Sequence, residues 1–326
     1  MQQVVLAEPG RLELREVTRP AARPGEALVR IHRVGICGTD FHAFAGRQPY
    51  FVYPRVLGHE LAGVVEAVAD EEGRVRTGDA CAIRPFVNNP DSRASRRGRS
   101  NCCEDLAVLG VHVDGGLGEW LAIDPRFLHP VPDVSIDALA LVEPLSIGCH
   151  AAARASLTPG EEALVIGAGP IGMATAQFAL LAGARVTVVD VSPARRDRAA
   201  ALLPAAEVRA APPDGRVDVV FDATGLAASM MRSFDYVAAG GRLVYVGLTL
   251  DPITISDPEF HRREITLLAS RNATPGDFDR VIAAIRSGRV QPLAWITHRV
   301  ALADLPARFD AIRRDPAVLK ALVQVG

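Results

Sequence analysis

The sequence predicts an α/β fold in which a β-rich stretch is followed by a doubly wound parallel sheet. From about residue 150 onward, short apolar strands alternate with helical segments, the pattern of a parallel sheet covered on both faces. The first third instead carries short runs that alternate apolar and polar residues, as half-buried strands do. At ~150 residues per domain, the 326-residue length leaves room for two domains. Apolar residues make up 49% and charged residues 23%, which excludes a disordered or fibrous chain.

The 36 basic and 38 acidic residues nearly cancel, to a net charge of −2. No basic domain points to nucleic acid and no acidic tail to a basic partner. Lys320 is the only lysine, a skew that reads as coding bias. Five cysteines in a long chain do not form a secreted disulfide scaffold, and the N-terminus shows no signal-peptide pattern. A cytoplasmic protein is the expectation. Ala163 to Ala184 is free of charge for 22 residues. Its clustered glycines and Pro170 predict a buried strand, a tight turn and a buried helix, not a membrane span.

Strands are expected at residues 26–34, 61–68 and 80–83, with Gly78-Asp79 as a turn. Residues 85–103 are polar and arginine-rich and read as a long loop, followed by short strands over 111–123. The later part predicts strands at 163–167, 185–190, 217–224, 241–248 and 265–270, and helices at 170–181, 193–202 and 277–288. A short strand over 207–210 leaves no room for a helix before 217, which would leave the adenine side open. The C-terminal stretch reads strand, helix, strand.

Gly167-Ala-Gly-Pro-Ile-Gly172 is a G-x-G-x-x-G turn after a strand and before a helix, and Asp190 ends the next strand 18 residues later. Gly167 permits the turn, Gly169 admits a pyrophosphate and Gly172 lets helix and strand pack. Pro170 and Ile171 open the helix, whose N-terminus favours an anion. Asp190 suits the ribose hydroxyls and repels a 2′-phosphate, so NAD is expected over NADP. Arg195 and Arg196 lie near enough to blunt that preference. This is a Rossmann dinucleotide site.

Cys37, His59 and Glu143 are each unremarkable alone, since a single cysteine or histidine is usually a packed core residue. Together they offer sulfur, nitrogen and oxygen, the donors Zn²⁺ takes, with a fourth position open for substrate. Glu60 is a second candidate carboxylate. With GICGTDFH, GHELAG, VEPLSIGCH and VIGAGPIG in this order, the sequence resembles the zinc-dependent medium-chain dehydrogenase/reductase family over essentially its whole length. GRQPYFVYPRVLGHE, SDPEFHRRE and SRNATPGDF resemble its polyol and sugar-acid branch, notably the L-galactonate 5-dehydrogenase-like members.

The resemblance implies a GroES-like β-rich catalytic domain from residues 1–150 and 288–326 around a Rossmann domain at 151–287. It implies an NAD-dependent alcohol or polyol dehydrogenase holding one catalytic zinc through Cys37, His59 and either Glu60 or Glu143, with Thr39 and His42 as a proton relay. Thr224, Val246, Gly247, Ser270, Arg271 and Asn272 are expected cofactor contacts besides the glycine turn, Asp190 and Arg195. Gln48, Arg271 and Asn272 are expected substrate contacts, with Arg271 suited to a carboxylate. Many relatives hold a second, structural zinc by four cysteines. Here those positions are Asn89, Ser92, Ser95 and Cys103, so none is expected. A homo-oligomer, dimer or tetramer, is expected, with no nucleic-acid or membrane partner. Threonine or simple secondary alcohols remain alternative substrates, and a non-catalytic nucleotide-binding relative remains an alternative role.

Overall fold

The computed structural model describes residues 1–49, 51–69 and 73–325. Strands β1 (Gln2–Glu8) and β2 (Arg11–Glu16) form a hairpin, and β3 (Ala27–Ile36) runs into helix α1 (Gly38–Phe44). There follow β4 (Arg55–Val56), β5 (Glu60–Val68), β6 (Ala80–Ile83), β7 (Phe86–Val87), α2 (Arg93–Arg96), β8 (Ala107–Val108), β9 (Trp120–Ile123), β10 (Leu128–Pro130), α3 (Ile136–Leu139) and α4 (Val142–Ala155). The alternating part comprises β11 (Glu162–Ile166), α5 (Pro170–Leu181), β12 (Arg185–Val189), α6 (Pro193–Leu202), β13 (Glu207–Arg209), β14 (Val217–Asp222), α7 (Ala227–Ser233), β15 (Val237–Tyr245), α8 (Asp257–Arg262) and β16 (Thr266–Ala269). The chain ends with α9 (Pro275–Arg286), β17 (Ile296–Ala301), α10 (Leu305–Arg314) and β18 (Lys320–Gln324).

Two compact units result, one from Met1–Glu143 with Thr274–Gly326 and one from Pro144–Ala273. The divisions fall before the expected 150/151 and 287/288. On the C-terminal side the reason is α9. Its Phe278 is fully buried edge-on to Phe86 and stacked on His129 at 5.0 Å, both in the first unit.

In the first unit one sheet runs β10-β6-β5-β3-β18-β17, with β9 also on β3. The C-terminal β18 pairs antiparallel with the N-terminal β3, Leu322 opposite Gly35 and Ala321 opposite Ile36. Both chain ends therefore build a single sheet. The connecting helix α10 is anchored by Phe309, fully buried with ring centroids 5.5 Å from Phe41 and 4.9 Å from Phe44 on α1. Truncating such a core aromatic costs about 3–5 kcal/mol.

Residues 85–103 are more ordered than the expected loop. They contain β7, α2 and a 3₁₀ turn at Ser100–Cys102. Ser92 Oγ caps α2 by accepting from Ser95 N at 3.1 Å, and Asn88 Nδ2 donates to Ser95 Oγ at 3.0 Å. Local hydrogen bonds supply the order that an apolar-pattern reading cannot see. Over 111–123, β9 is the only strand named among the described residues.

The second unit is a six-stranded parallel sheet of order β13-β12-β11-β14-β15-β16, a doubly wound arrangement. Among the described residues no helix separates β13 from β14. The charge-free stretch is broken into β11 and α5 at Gly167, and no described helix is long and apolar enough to cross a membrane.

His129 offers a test of the first unit's core. It is 1% exposed on β10, with Nδ1 3.1 Å from Asp279 Oδ1 and 3.2 Å from Arg74 Nη2. Burial pulls its pKa down to about 4 in spite of Asp279. The fold thus prefers the neutral ring, whereas an unfolded histidine protonates near ~6.5. Stability should hold above that pH and fall, by up to about 2–3 kcal/mol, as pH drops from ~6.5 to ~4. Urea midpoints across this range should decline, and His129→Phe, which keeps the stacking on Phe278, should flatten the decline.

Candidate active site

The turn after β3 positions the first donor. Cys37 is extended (φ −100°, ψ 161°) at the start of α1, and its N–H donates to Asp40 Oδ2 at 2.9 Å. That bond closes the first turn and fixes the cysteine. Strand β5 begins at Glu60, directly opposite Gly35 of β3, so His59 and Glu60 arrive beside Cys37. The Cys37 thiol sulfur, a His59 ring nitrogen and a Glu60 carboxylate oxygen all lie within 4.8 Å of one another. His59 and Glu60 are buried and Cys37 is half-buried.

The charges around this group are mutually dependent. His59 Nδ1 faces Asp40 Oδ1 at 3.8 Å, and neither atom has a hydrogen-bond partner. Burial alone would lower the His59 pKa, but the charges of Asp40, Cys37 and Glu143 hold it well above the usual imidazole value. Burial raises Asp40 even though His59 pulls the other way. Glu143 lies outside the 4.8 Å group but is buried, and burial, reinforced by Glu60, raises its pKa to about 7 against the pull of His59 and Lys320. Lys320, on β18, forms a buried ion pair with Glu60 Oε1.

Asp40, Lys320 and Gly35 border this group, and sequence reasoning missed them. A Cβ at Gly35 would lie 2.1 Å from Glu60 Oε2, so glycine is the residue that lets β3 admit this carboxylate. The signal for Asp40 is its place three residues after Cys37, the spacing at which a side chain closes a first helical turn. The signal for Lys320 is its solitude in an arginine-rich chain. The coding-bias reading explains the arginines but not why one lysine remains at this site.

Of the expected relay, Thr39 Oγ1 lies 3.8 Å from Cys37 Sγ and is half-buried, while His42 is exposed on α1. Gln48 is half-buried just beyond α1.

In the second unit, the expected nucleotide residues cluster at the C-terminal ends of the parallel strands. Gly167 has φ +102°, and a Cβ on Gly172 would lie 1.8 Å from the Gly167 carbonyl oxygen. A Cβ on Gly169, just before α5, would meet nothing within 4 Å, the open approach a pyrophosphate needs. Pro170 and Ile171 open α5. Asp190 Oδ2 accepts from Ala168 N and Oδ1 from Ser192 N, both at 2.8 Å. The carboxylate thus braces the glycine turn while keeping acceptor capacity. Arg195 Nη1 lies 3.6 Å from Asp190 Oδ2, and Arg196 donates to the Asp190 carbonyl at 2.9 Å. Thr224 follows β14, Val246 and Gly247 follow β15, and Ser270, Arg271 and Asn272 follow β16. Ser270 Oγ is buried without a partner, Arg271 is exposed, and Asn272 has φ +51°.

The family model described as Alcohol dehydrogenase GroES-like domain matches residues 23–133, and that described as Zinc-binding dehydrogenase matches residues 170–287. The chain belongs to the zinc-binding alcohol dehydrogenase family. This dehydrogenase is 39% identical over 321 residues to L-galactonate-5-dehydrogenase of Escherichia coli K12, covering 95% of this chain and 94% of that protein. Its fold matches a short chain alcohol dehydrogenase, RspB, of E. coli CFT073 complexed with NADH (TM-score 0.92, 26% identity, 100% of this chain and 99% of the other). It also matches a zinc-binding dehydrogenase of Sinorhizobium meliloti bound to NADP (TM-score 0.89, 26% identity, 99% of both chains). The dehydrogenase is thus an alcohol oxidoreductase with the resembled architecture, a Rossmann sheet plus a GroES-like unit.

The overlap at Gly172 makes a direct test of the glycine turn in this dehydrogenase. Gly172→Ala should force the turn and α5 apart at a cost of about 1–3 kcal/mol. A thermal melt should show the loss, and titration with NADH followed by its fluorescence should show weakened binding.

Proposed function

We propose that this dehydrogenase oxidises a secondary hydroxyl of an L-galactonate-like sugar acid or of a polyol to the ketone, passing hydride to NAD and releasing a proton. The observation that carries this reading is the convergence of half-buried Cys37 with buried His59 and Glu60. Its sulfur, nitrogen and oxygen fit a single zinc with one position left for substrate, and Glu143 is the alternative carboxylate. The orphaned Oε2 of buried Glu60 fits a residue built to face a cation. Zinc in such a site supplies Lewis acidity that lowers the pKa of a substrate hydroxyl.

The chain's own residues do the rest. Asp40 faces His59 Nδ1 and orients the ring, leaving Nε2 for the metal. Thr39, close to Cys37, suits the first step of a proton relay, with His42 at its exposed end. Asp190 disfavours a 2′-phosphate and supports NAD. Arg195 is near enough that NADP is worth assaying beside it, as is the complex of one structural relative with NADP. The relative named L-galactonate-5-dehydrogenase supports a sugar acid, with Gln48, Arg271 and Asn272 as its contacts.

Metal analysis should find one zinc per chain, and Cys37→Ala should remove both metal and activity. Two tightly held zincs would overturn the single-site reading. Substrate class is read by a panel of L-galactonate, D-gluconate, sorbitol, galactitol, L-threonine and 2-butanol, with NADH absorbance as the signal. If Arg271 pairs with a substrate carboxylate, Arg271→Ala should lower kcat/KM on the acid by roughly ten- to a hundredfold, from the loss of about 1.5–3 kcal/mol. A matched neutral polyol should lose far less. Equal losses on both would assign Arg271 to the cofactor or the fold.

A further inference from the structure

We propose that Lys320 is a positioning residue for the metal centre: by holding one oxygen of Glu60, it limits that carboxylate to a single donor atom and keeps a coordination position open for substrate. This inference rests on the zinc reading above and concerns a residue outside the expected donor set.

Lys320 is the only lysine of the chain, it is 3% exposed, and Glu60 is fully buried. Burying an ammonium is unfavourable unless it is paired, so the residue is held for its charge or its hydrogen bonds. Strand pairing explains how it arrives. Ala321 lies opposite Ile36, and Gly35 lies opposite Glu60, so β18 and β5 flank β3. Lys320 at the start of β18 can then reach Glu60 at the start of β5. Its Nζ donates to Glu60 Oε1. Oε2 is buried without a hydrogen bond and packs against Gly35, where a side chain would overlap it. One oxygen is engaged and the other is not.

The engaged oxygen decides the coordination number. A carboxylate with both oxygens free can chelate a metal bidentately, and with Cys37 and His59 that fills four positions. With Oε1 held by Lys320 the protein supplies three donors, the count an open catalytic site requires. Cys37 and Glu143 add to the favourable charge that Glu60 presents to the ammonium. Removing the ammonium should therefore do two things. It leaves Glu60 buried and unpaired when no metal is present, and it frees both oxygens when metal binds.

The test uses the full chain, stripped of metal and reloaded with Co²⁺ as a spectroscopic probe, in the wild type and in Lys320→Met, Lys320→Gln and Lys320→Arg. Lys320→Met should bind Co²⁺ about tenfold or more tightly in competition with a chromophoric chelator. It should also show weaker visible bands, reporting a higher coordination number, and a larger metal-induced rise in Tm. Its kcat should fall by about 10–100-fold, the range for residues that orient metal ligands. Lys320→Arg, which keeps the charge and the donors, should restore the wild-type visible spectrum. Should Lys320→Met not fold, Lys320→Gln carries the test: its amide can still hold Oε1, so the spectrum should stay near the wild type while affinity rises. Equal affinity and equal spectra in wild type and the charge-free variant overturn the role of Lys320. Co²⁺ binding that is unchanged by Cys37→Ala overturns the zinc site itself, and the two failures are read from different variants.

Discussion

Four ionisable acids (Cys37, Asp40, Glu60 and Glu143) and one histidine share a buried or half-buried neighbourhood in the first unit. Charges taken from water at this density are tolerated only when each is paired, protonated or bound to a cation. His59 answers Asp40, and Lys320 answers Glu60. Burial, with Glu60 nearby, raises the Glu143 pKa to about 7 and so favours its neutral form more than in water. The local structure follows from this compensation: Gly35 clears space for Glu60, Asp40 closes the turn that aims Cys37, and β18 comes from the far end of the chain to deliver the ammonium.

That delivery gives a physical reason for a catalytic unit built from both chain ends. The candidate donors Cys37, His59 and Glu60 come from the N-terminal part of the chain, but the countercharge comes from β18, 260 residues after Glu60. The strand register does the positioning. A one-residue slip of β18 against β3 would turn Lys320 to the other face of the sheet. Phe309, packed between the aromatic rings of α1, anchors the helix that leads into β18. The apolar core and the charged site thus constrain the same few strands.

Much of the fold was legible because its signals are periodic. Alternation marked β3 and β5, and apolar strands spaced by helices marked the parallel sheet, including the missing helix after β13. Cys37, His59 and Glu143 were read as candidate donors by chemistry, with Glu60 as the second carboxylate; the fold gathers Cys37 and His59 with Glu60. What escaped reading is what no period records. Asp40 and Lys320 matter through partners that the fold supplies, and Lys320 has its partner 260 residues away in sequence. The domain division was displaced because α9, an amphipathic helix like its neighbours, gives no sign of which core receives Phe278. Asp190 was read only as a candidate ribose acceptor; its bracing of the glycine turn through Ala168 N belongs to three-dimensional geometry.

The 85–103 segment shows the same limit from the polar side. Its arginines and serines lack apolar period, so the sequence argues for a loop, yet its order comes from short-range polar contacts. Asn89, Ser92, Ser95 and Cys103, the positions where the family resemblance would place four structural-zinc cysteines, meet around the one thiol among them. Asn89 N donates to Cys103 Sγ at 3.3 Å. Burial would raise that thiol, but donors from Ser92, Asn89, Asp105 and Ser95 bring it below its usual value. Each such bond contributes about 0.5–1.5 kcal/mol net, so several acting on one short segment can hold it in a single conformation. Asparagine and serine are poor zinc ligands but good hydrogen-bonding partners of a thiol. The substitutions that remove metal donors from the segment are therefore the same ones that give it a polar framework of its own.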